Sequence, residues 1–296
     1  MASMSRKTKG DRIFDVVNTI ILSLILIIIL YPLIFVISAS FSDPVKVLQG
    51  EVLLLPKGIN IEGYKLVFSH DQIMSGYKNT LIYTVLGTSI NLIMTILGAY
   101  PLSRRDFRAR AFFTFLIVFT MFFSGGLIPT YLVVKQLGLI DTLWAIVLPG
   151  AVSVWNLTIM RNFFQTSIPF ELQESAMIDG CGNFSLLWRV VLPLSTPMIA
   201  VMVMFYGVGH WNAFFNALVY LSDEKKYPLQ LVLRSILIQE QTGEMIAADD
   251  SVIRRQMLAE TIKYAAIVIA SIPVLILYPF LQKYFVHGIM VGALKG

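Results

Sequence analysis

Glu171, Glu174 and Asp179 stand close together in the stretch Ser167–Pro197, SIPFELQESAMIDGCGNFSLLWRVVLPLSTP. Carboxylates at such spacings could exchange protons or hold a cation, but either chemistry needs partners that the chain does not supply nearby. The three histidines, His70, His210 and His287, are far apart in sequence and none shares a helical face with another. Cys181 is the single cysteine, which excludes an intramolecular disulfide and a multi-cysteine metal site. No Ser/His/Asp or His-x-x-x-His arrangement marks a hydrolase. No G-x-x-x-x-G-K-[ST] loop cradles a nucleotide phosphate. No bound metal or cofactor is expected on this chain, and the residues of the acidic segment leave two readings open, a contact with a second protein or a connector that packs on its own bundle.

A second group is Trp211, Asn212, Phe215 and Asn216, inside GVGHWNAFFNALVYLSDEKKYPLQL. Amides and small residues within an apolar span face a cavity or another helix. Aromatic faces beside amide donors and acceptors suit a neutral polyol, whose ring C–H faces pack on aromatics while its hydroxyls pair with amides. The residue types leave two readings open. The group lines a path, or Trp211 sits in an interfacial aromatic belt while the asparagines tie helices together.

The elements that must position these groups are membrane helices. Of 296 residues, 56% are hydrophobic and 14% charged, and the mean hydropathy is +0.74; a soluble domain carries about a quarter charged residues. Six apolar runs of spanning length appear, at about 13–39, 79–102, 111–135, 142–164, 190–221 and 262–283. The first is too long for a signal-peptide core and lacks a small-x-small cleavage site, so it reads as a retained helix. Pro32, Pro129, Pro149, Pro193, Pro197, Pro273 and Pro279 fall inside the runs. Neighbouring helices must satisfy the carbonyls these prolines free, so the spans are expected to be bent. The second run carries Thr80, Thr84, Thr88, Asn91 and Thr95 with Gly87 and Gly98, a pattern that favours close helix packing over substrate lining. Tyr131 and Trp144 read as outer-interface anchors.

Orientation follows arginine density. Arg104, Arg105, Arg108 and Arg110 crowd one short connection, whereas other cations spread over the long connections 40–78 and 222–261, which the positive-inside rule discounts. Both termini are therefore expected inside. The formal charge of +5 reports this topology, and no basic stripe with interleaved aromatics suggests nucleic acid. The expected division is an inside segment 1–12, a six-helix body 13–286 and an inside tail 287–296. The acidic stretch then lies on the inner side between the fourth and fifth spans. Ser167 as N-cap, Pro169 in the first turn and Gly180 as a left-handed stop frame a short helix at about 169–180. Phe170, Glu174 and Met177 would share one side and Leu172 and Ala176 the other. Apolar residues on both faces, with acidic charge that anionic lipid repels, suit a helix wedged between its own bundle and a second protein.

These residues also carry a resemblance. Glu174-Ser175-Ala176, Asp179-Gly180 and Leu192-Pro193 resemble the EAA–DG–LP signature of permease subunits of ATP-binding-cassette importers, with Ser175 where the family usually has Ala. The segment containing Trp211, Asn212, Phe215 and Asn216 is similar to the corresponding one in sugar-importing members. The ending FLQKYFVHGIMVGALKG resembles the tail of the permease subunit that, in maltose-type importers, extends along the ATPase; Gly292, Lys295 and Gly296 match, while Met290 and Val291 stand where Thr-Ala is common. The resemblance covers nearly the whole chain. It implies an all-α, six-helix permease of a binding-protein-dependent carbohydrate importer in a bacterial plasma membrane. It makes the 169–180 segment the coupling helix, with Glu174, Ser175, Ala176, Asp179 and Gly180 at the ATPase contact. It further implies a second permease subunit as heterodimer partner, a dimeric ATPase that holds ATP and Mg, an extracellular solute-binding protein and an oligosaccharide substrate. The 222–261 connection, with Arg234, Glu240, Glu244, Asp249, Asp250, Arg254 and Arg255, would meet the binding protein. An importer for peptides or another polar solute, and an ion-coupled secondary transporter, are the alternatives.

Overall fold

The computed structural model describes residues 8–243 and 250–293, with side chains described over 8–238, 259–280 and at 282. Helices are α1 (Lys9–Ser40), α2 (Pro44–Leu48), α3 (Glu62–Ser69), α4 (Asp71–Ser103), α5 (Arg110–Phe122), α6 (Leu127–Gln136), α7 (Leu143–Val147) and α8 (Val154–Ser167). They continue as α9 (Phe170–Ile178), α10 (Asn183–Leu186), α11 (Leu192–Leu194), α12 (Thr196–Trp211), α13 (Phe215–Tyr220), α14 (Leu229–Gly243) and α15 (Asp250–Ala293). No strand occurs among the described residues.

Among the described residues three helices are long and apolar enough to cross a membrane by themselves, or up to five spans by length and composition if each of two bent pairs counts as one. The bent pairs are α5 with α6, at 112°, and the Asn183–Leu194 segment with α12, at 82°. Each bend has a local cause. Between α5 and α6, Gly126 adopts φ +85°, ψ −179°, a region essentially confined to glycine that costs a side-chain-bearing residue about 1–3 kcal/mol. Before α12, a π-helical turn at Leu187–Val191 widens the ladder, and the fully buried Ser195 returns its hydroxyl to the Val191 carbonyl at 2.6 Å. The fourth apolar run is also interrupted: α7 ends at Val147, and α8 starts only at Val154, capped by Ser153.

Two compact units are present, Met1–His70 with Ile236–Ser271, and Asp71–Ser235 with Ile272–Gly296. In the first, Thr8 and Asp11 close a reciprocal capping box on α1, with hydrogen bonds of 2.8 and 3.2 Å. From Leu24 to Ile34, α1 is apolar all round and exposed, as suits lipid or another membrane protein rather than water. The connection after α1 is ordered. Ser40 Oγ meets Tyr64 Oη at 2.8 Å, Phe41 stacks on Tyr64, and Gly63 lies so close to the Thr261 carbonyl that a Cβ there would collide.

The second unit is built on α4. Its buried residues Ile73, Gly76, Thr80, Tyr83, Gly87, Asn91, Thr95 and Ala99 recur every three or four positions, one stripe of a 3.6-residue helix. The helix starts at Asp71, eight residues before its apolar run begins. Small residues on the stripe admit neighbours: a Cβ at Gly87 would sit 2.5 Å from the His210 ring, and one at Gly98 2.8 Å from Leu157 Cδ1. The core beneath joins Ala99, Leu157, Met160, Phe164, Leu186, Val191 and Met202 from α4, α8, the 183–194 segment and α12.

Candidate functional site

The acidic segment forms α9, one turn after α8. Ser167 does not cap it. Pro169 bars Ile168 from the helical region and holds it extended, at φ −108°, ψ 109°, so α8 runs through Ser167 and Pro169 takes the N-cap position. The end is a complete Schellman arrangement: Gly180 at φ +78°, with Cys181 N–H on the Ala176 carbonyl at 2.9 Å and Gly180 N–H on the Met177 carbonyl at 3.0 Å.

The expected grouping left open which side meets the bundle. Gln173 is buried, Phe170 and Ala176 are half-buried, and Glu174 and Met177 are exposed. Glu171, Glu174, Ser175 and Ile178 form the outward ridge, with Asp179 and Gly180 also exposed and Ile178 86% exposed. A tertiary partner sets this rotation. Arg104, just past the end of α4 and only 4% exposed, donates through Nη1 to Gln173 Oε1 at 3.4 Å and through Nη2 to Met177 Sδ at 3.4 Å. Nε and Nη2 bind the two Asp106 carboxylate oxygens at 2.8 and 2.6 Å, and Nη1 also reaches Tyr100 Oη at 3.4 Å. The fork geometry of guanidinium allows this bidentate grip. The same pairing holds the Asp106 carboxyl below the usual carboxylate range and raises the Arg104 guanidinium further.

The mid-span group lies where α12 stops. Asn212 is its C-cap and donates Nδ2 to the Val208 carbonyl at 3.0 Å; helix resumes at Phe215. Trp211 is buried and meets Tyr77 edge-on with centroids 5.5 Å apart. Asn212 and Phe215 are exposed and Asn216 half-buried. The structure therefore brings Trp211 and Asn212 to the end of one helix and Phe215 and Asn216 to the start of the next. Trp211 also lines a cavity of about 350 Å³ with Thr84, Thr88, Ser89 and Gly207, walled by Leu81, Val85, Val203 and Leu277. The hydroxyl oxygens of Thr84 and Thr88 are buried without a hydrogen-bond partner among the described residues. Just beside it, His210 Nε2 pairs with Asn91 Oδ1 at 2.6 Å, Asn91 Nδ2 donates to the Gly150 carbonyl at 2.6 Å, and Thr95 pairs with Tyr206 at 2.6 Å. Part of the polar content of α4 thus ties helices together, as its pattern suggested, while Thr84 and Thr88 face a cavity.

At the far end of the second unit a clamp closes the 222–228 connection. Asp141, at φ +59°, accepts from the Ser222 and Asp223 backbone N–H groups at 3.2 Å and from Lys226 Nζ at 2.9 Å. Lys226 holds the Asp141 carboxyl below its usual range and is itself raised by it. Asn79 donates to the Lys225 and Tyr227 carbonyls, Tyr83 to the Lys226 carbonyl, and Thr80 accepts from Leu229 N–H. Tyr131 stacks on Tyr220, with ring centroids 6.1 Å apart. Arg234 places its guanidinium 4.8 Å from the Phe214 ring centroid. Glu244 and Asp249 lie outside the described residues, as do the side chains of Glu240, Asp250, Arg254 and Arg255. Lys295 and Gly296 of the tail are likewise outside them, and Gly292 falls near the end of α15. Arg104, Gln173 and the Asp141–Lys226 clamp were missed by residue patterns; the one available signal was Arg104 and Asp106 two positions apart.

A family model described as "Binding-protein-dependent transport system inner membrane component" matches residues 73–291. The chain is 43% identical over 290 residues to "Protein LplC" of Bacillus subtilis (strain 168), covering 98% of this chain and 97% of the relative. It is also 43% identical over 291 residues to "Polygalacturonan/rhamnogalacturonan transport system permease protein YtcP" of the same organism, covering 97% and 99%. Among solved structures it matches a chain of a bacterial ABC transporter involved in the import of the acidic polysaccharide alginate. The TM-score is 0.85 at 36% identity, over 95% of this chain and 100% of that one.

Proposed function

Because the chain belongs to the family of binding-protein-dependent transport system inner membrane components, we propose that it is the permease subunit of an ATP-driven importer of oligosaccharides, forming one half of the translocation path. It is embedded in the membrane and is a transport subunit rather than an enzyme; family membership implies a solute-binding protein and an ATPase as partners. The observation that carries the finer reading is α9. A short helix fixed to its own bundle by a buried arginine presents an acidic ridge with a bare Ile178 to the outside. In this reading Glu174, Ser175, Ala176, Asp179 and Gly180 form or support the contact with the ATPase, which holds ATP and Mg. The Gly292, Lys295 and Gly296 tail would lie against the same partner. Closure of the ATPase pair then moves α9, and Arg104 carries that motion into α4; differential nucleotide contacts are what can bias such an equilibrium.

The carbohydrate reading draws on the polysaccharides for which similar proteins are named and on the cavity beside the α12 break. Trp211 and apolar walls suit sugar C–H faces, while Thr84 and Thr88 offer hydroxyls without a partner among the described residues. Interrupted membrane helices are tolerated where they line a cavity, so Asn212, Phe215 and Asn216 belong to the same path. A second, different permease subunit would supply the other half, and both termini would lie in the bacterial cytoplasm.

The test is co-purification together with uptake. An ATPase subunit should copurify and be lost on Glu174→Arg. Uptake of members of an oligosaccharide panel, neutral and acidic, should stop on ATP depletion and survive a protonophore. Uptake insensitive to ATP depletion but abolished by the protonophore would overturn the reading. Unchanged uptake after alanine replacement of Trp211, Asn212 and Asn216, at normal expression, would remove that group from the path.

A further inference from the structure

Beside α9 lies a cavity of about 460 Å³ that the transport reading does not use, bounded by the end of α4, the start of α5, the later part of α8 and the start of α9. Arg105, Arg110 and Arg161 line it, against one carboxylate, Glu171. Among the described residues none of the three arginines forms an ion pair; the carboxylate nearest in sequence, Asp106, is held by Arg104. Arg161 donates Nε to the Leu102 carbonyl at 3.2 Å, and its two terminal nitrogens have no acceptor among the described residues. Arg105 is held with its guanidinium 5.1 Å from the Phe170 ring centroid. The start of α9 faces the same space and has no side-chain cap, which adds the positive end of a helix.

We propose that this cavity seats the phosphate of an anionic phospholipid. The depth of the arginines argues for a lipid as the source. Arg161 stands six residues before the end of α8, about 9 Å along the axis, inside an apolar run where an unpaired cation is costly. Arg110 is the first residue of the membrane-entering α5. Both therefore lie at headgroup level, where basic pockets between membrane helices take up lipid phosphates. A phosphate here would bridge α5, α8 and α9 and hold the start of α9 against the bundle, which makes the lipid a fixed part of the joint.

The test uses the full chain, purified and delipidated, with phosphatidylglycerol, phosphatidylcholine or inorganic phosphate added at one ionic strength. Retained lipid is read by native mass spectrometry and stabilisation by thermal shift. Phosphatidylglycerol should be retained and raise the melting temperature, phosphatidylcholine and inorganic phosphate should do neither, and Arg110→Gln with Arg161→Gln should lower retention by about tenfold. Arg108→Gln removes the same kind of charge from the same connection outside the cavity and should change retention less than about twofold. If the double variant fails to fold, Arg105→Gln, on an exposed side chain, should still lower retention measurably. Equal retention of both lipids, equal stabilisation by inorganic phosphate, or equal losses in Arg108→Gln and the cavity variants would overturn the proposal. None of these readouts involves ATP or solute, so failure here leaves the transport reading untouched.

Discussion

The joint at α9 and the break after α12 solve opposite problems with the same chain. At the joint, a buried arginine makes hydrogen bonds to four side chains, and helix ends are fixed by a Schellman turn and a proline. At the break, the side-chain contacts are between neutral groups, two hydroxyls have no partner among the described residues, and a cavity of about 350 Å³ is left beside them. A rigid, charge-assisted contact transmits displacement, whereas a loosely satisfied polar wall can accept different solutes and rearrange. Under the proposed function, stiffness would sit where force enters and adaptability where the solute passes.

Substitutions can break or sharpen this contrast. The largest effect is expected at Gly87. Any side chain there meets the His210 ring, so Gly87→Leu should cost about 3 kcal/mol or more and abolish folded protein at 37 °C, read by size-exclusion profile and thermal melting. Asn91→Leu removes the acceptor of His210 and the donor to Gly150, and should destabilise by about 1–3 kcal/mol. Gly180→Ala puts a side chain at φ +78°, at a cost of about 1–2 kcal/mol, and should weaken ATPase docking because the α9 stop is lost. Ile178→Ala is expected to leave the melting temperature unchanged, since the side chain touches little, while lowering ATPase affinity. A matching fall in stability would mean that Ile178 packs on its own bundle.

The smallest effect concerns the Asp141–Lys226 clamp and its pH dependence. The folded pKa of Asp141 is lowered, so its contribution is present above the unfolded value of about 4 and lost as pH falls through the folded value below it. The folded pKa of Lys226 is raised, so its contribution is present below about 10 and lost as pH rises beyond. Hydrogen exchange of the 222–228 connection should therefore be flat in protection between about pH 5 and 9 and faster only outside that window, apart from the intrinsic rate change. Asp141→Asn should remove the acid limb.

Much of this arrangement was legible in residue order. Pro169 and Gly180 bracket α9 to within two residues, because a proline and a left-handed glycine restrict the backbone whatever surrounds them. Ser167 misled for the same reason: the residue before Pro169 cannot be helical, so the cap moved onto the proline. The facing of α9 was not legible, since Arg104 rotates it through Gln173 and Met177, and in sequence Arg104 is one of four arginines that report topology. Prolines announced bends in the spans, and Pro193 and Pro197 flank the 82° bend, while Gly126 at the 112° bend and the π-turn with Ser195 were not legible as such. The α12 break carries no proline, and Trp211-Asn212 announced it only as chemistry.

Arg104 tests the account most directly. Arg104→Met removes the grip on α9 but leaves Asp106, which is 55% exposed, free to rehydrate, so the bundle should survive. In proteoliposomes containing the assembled importer, ATP hydrolysis and solute uptake are measured together. The account predicts that hydrolysis persists while uptake per ATP falls by about tenfold. Uptake per ATP equal to that of the unsubstituted protein would contradict it.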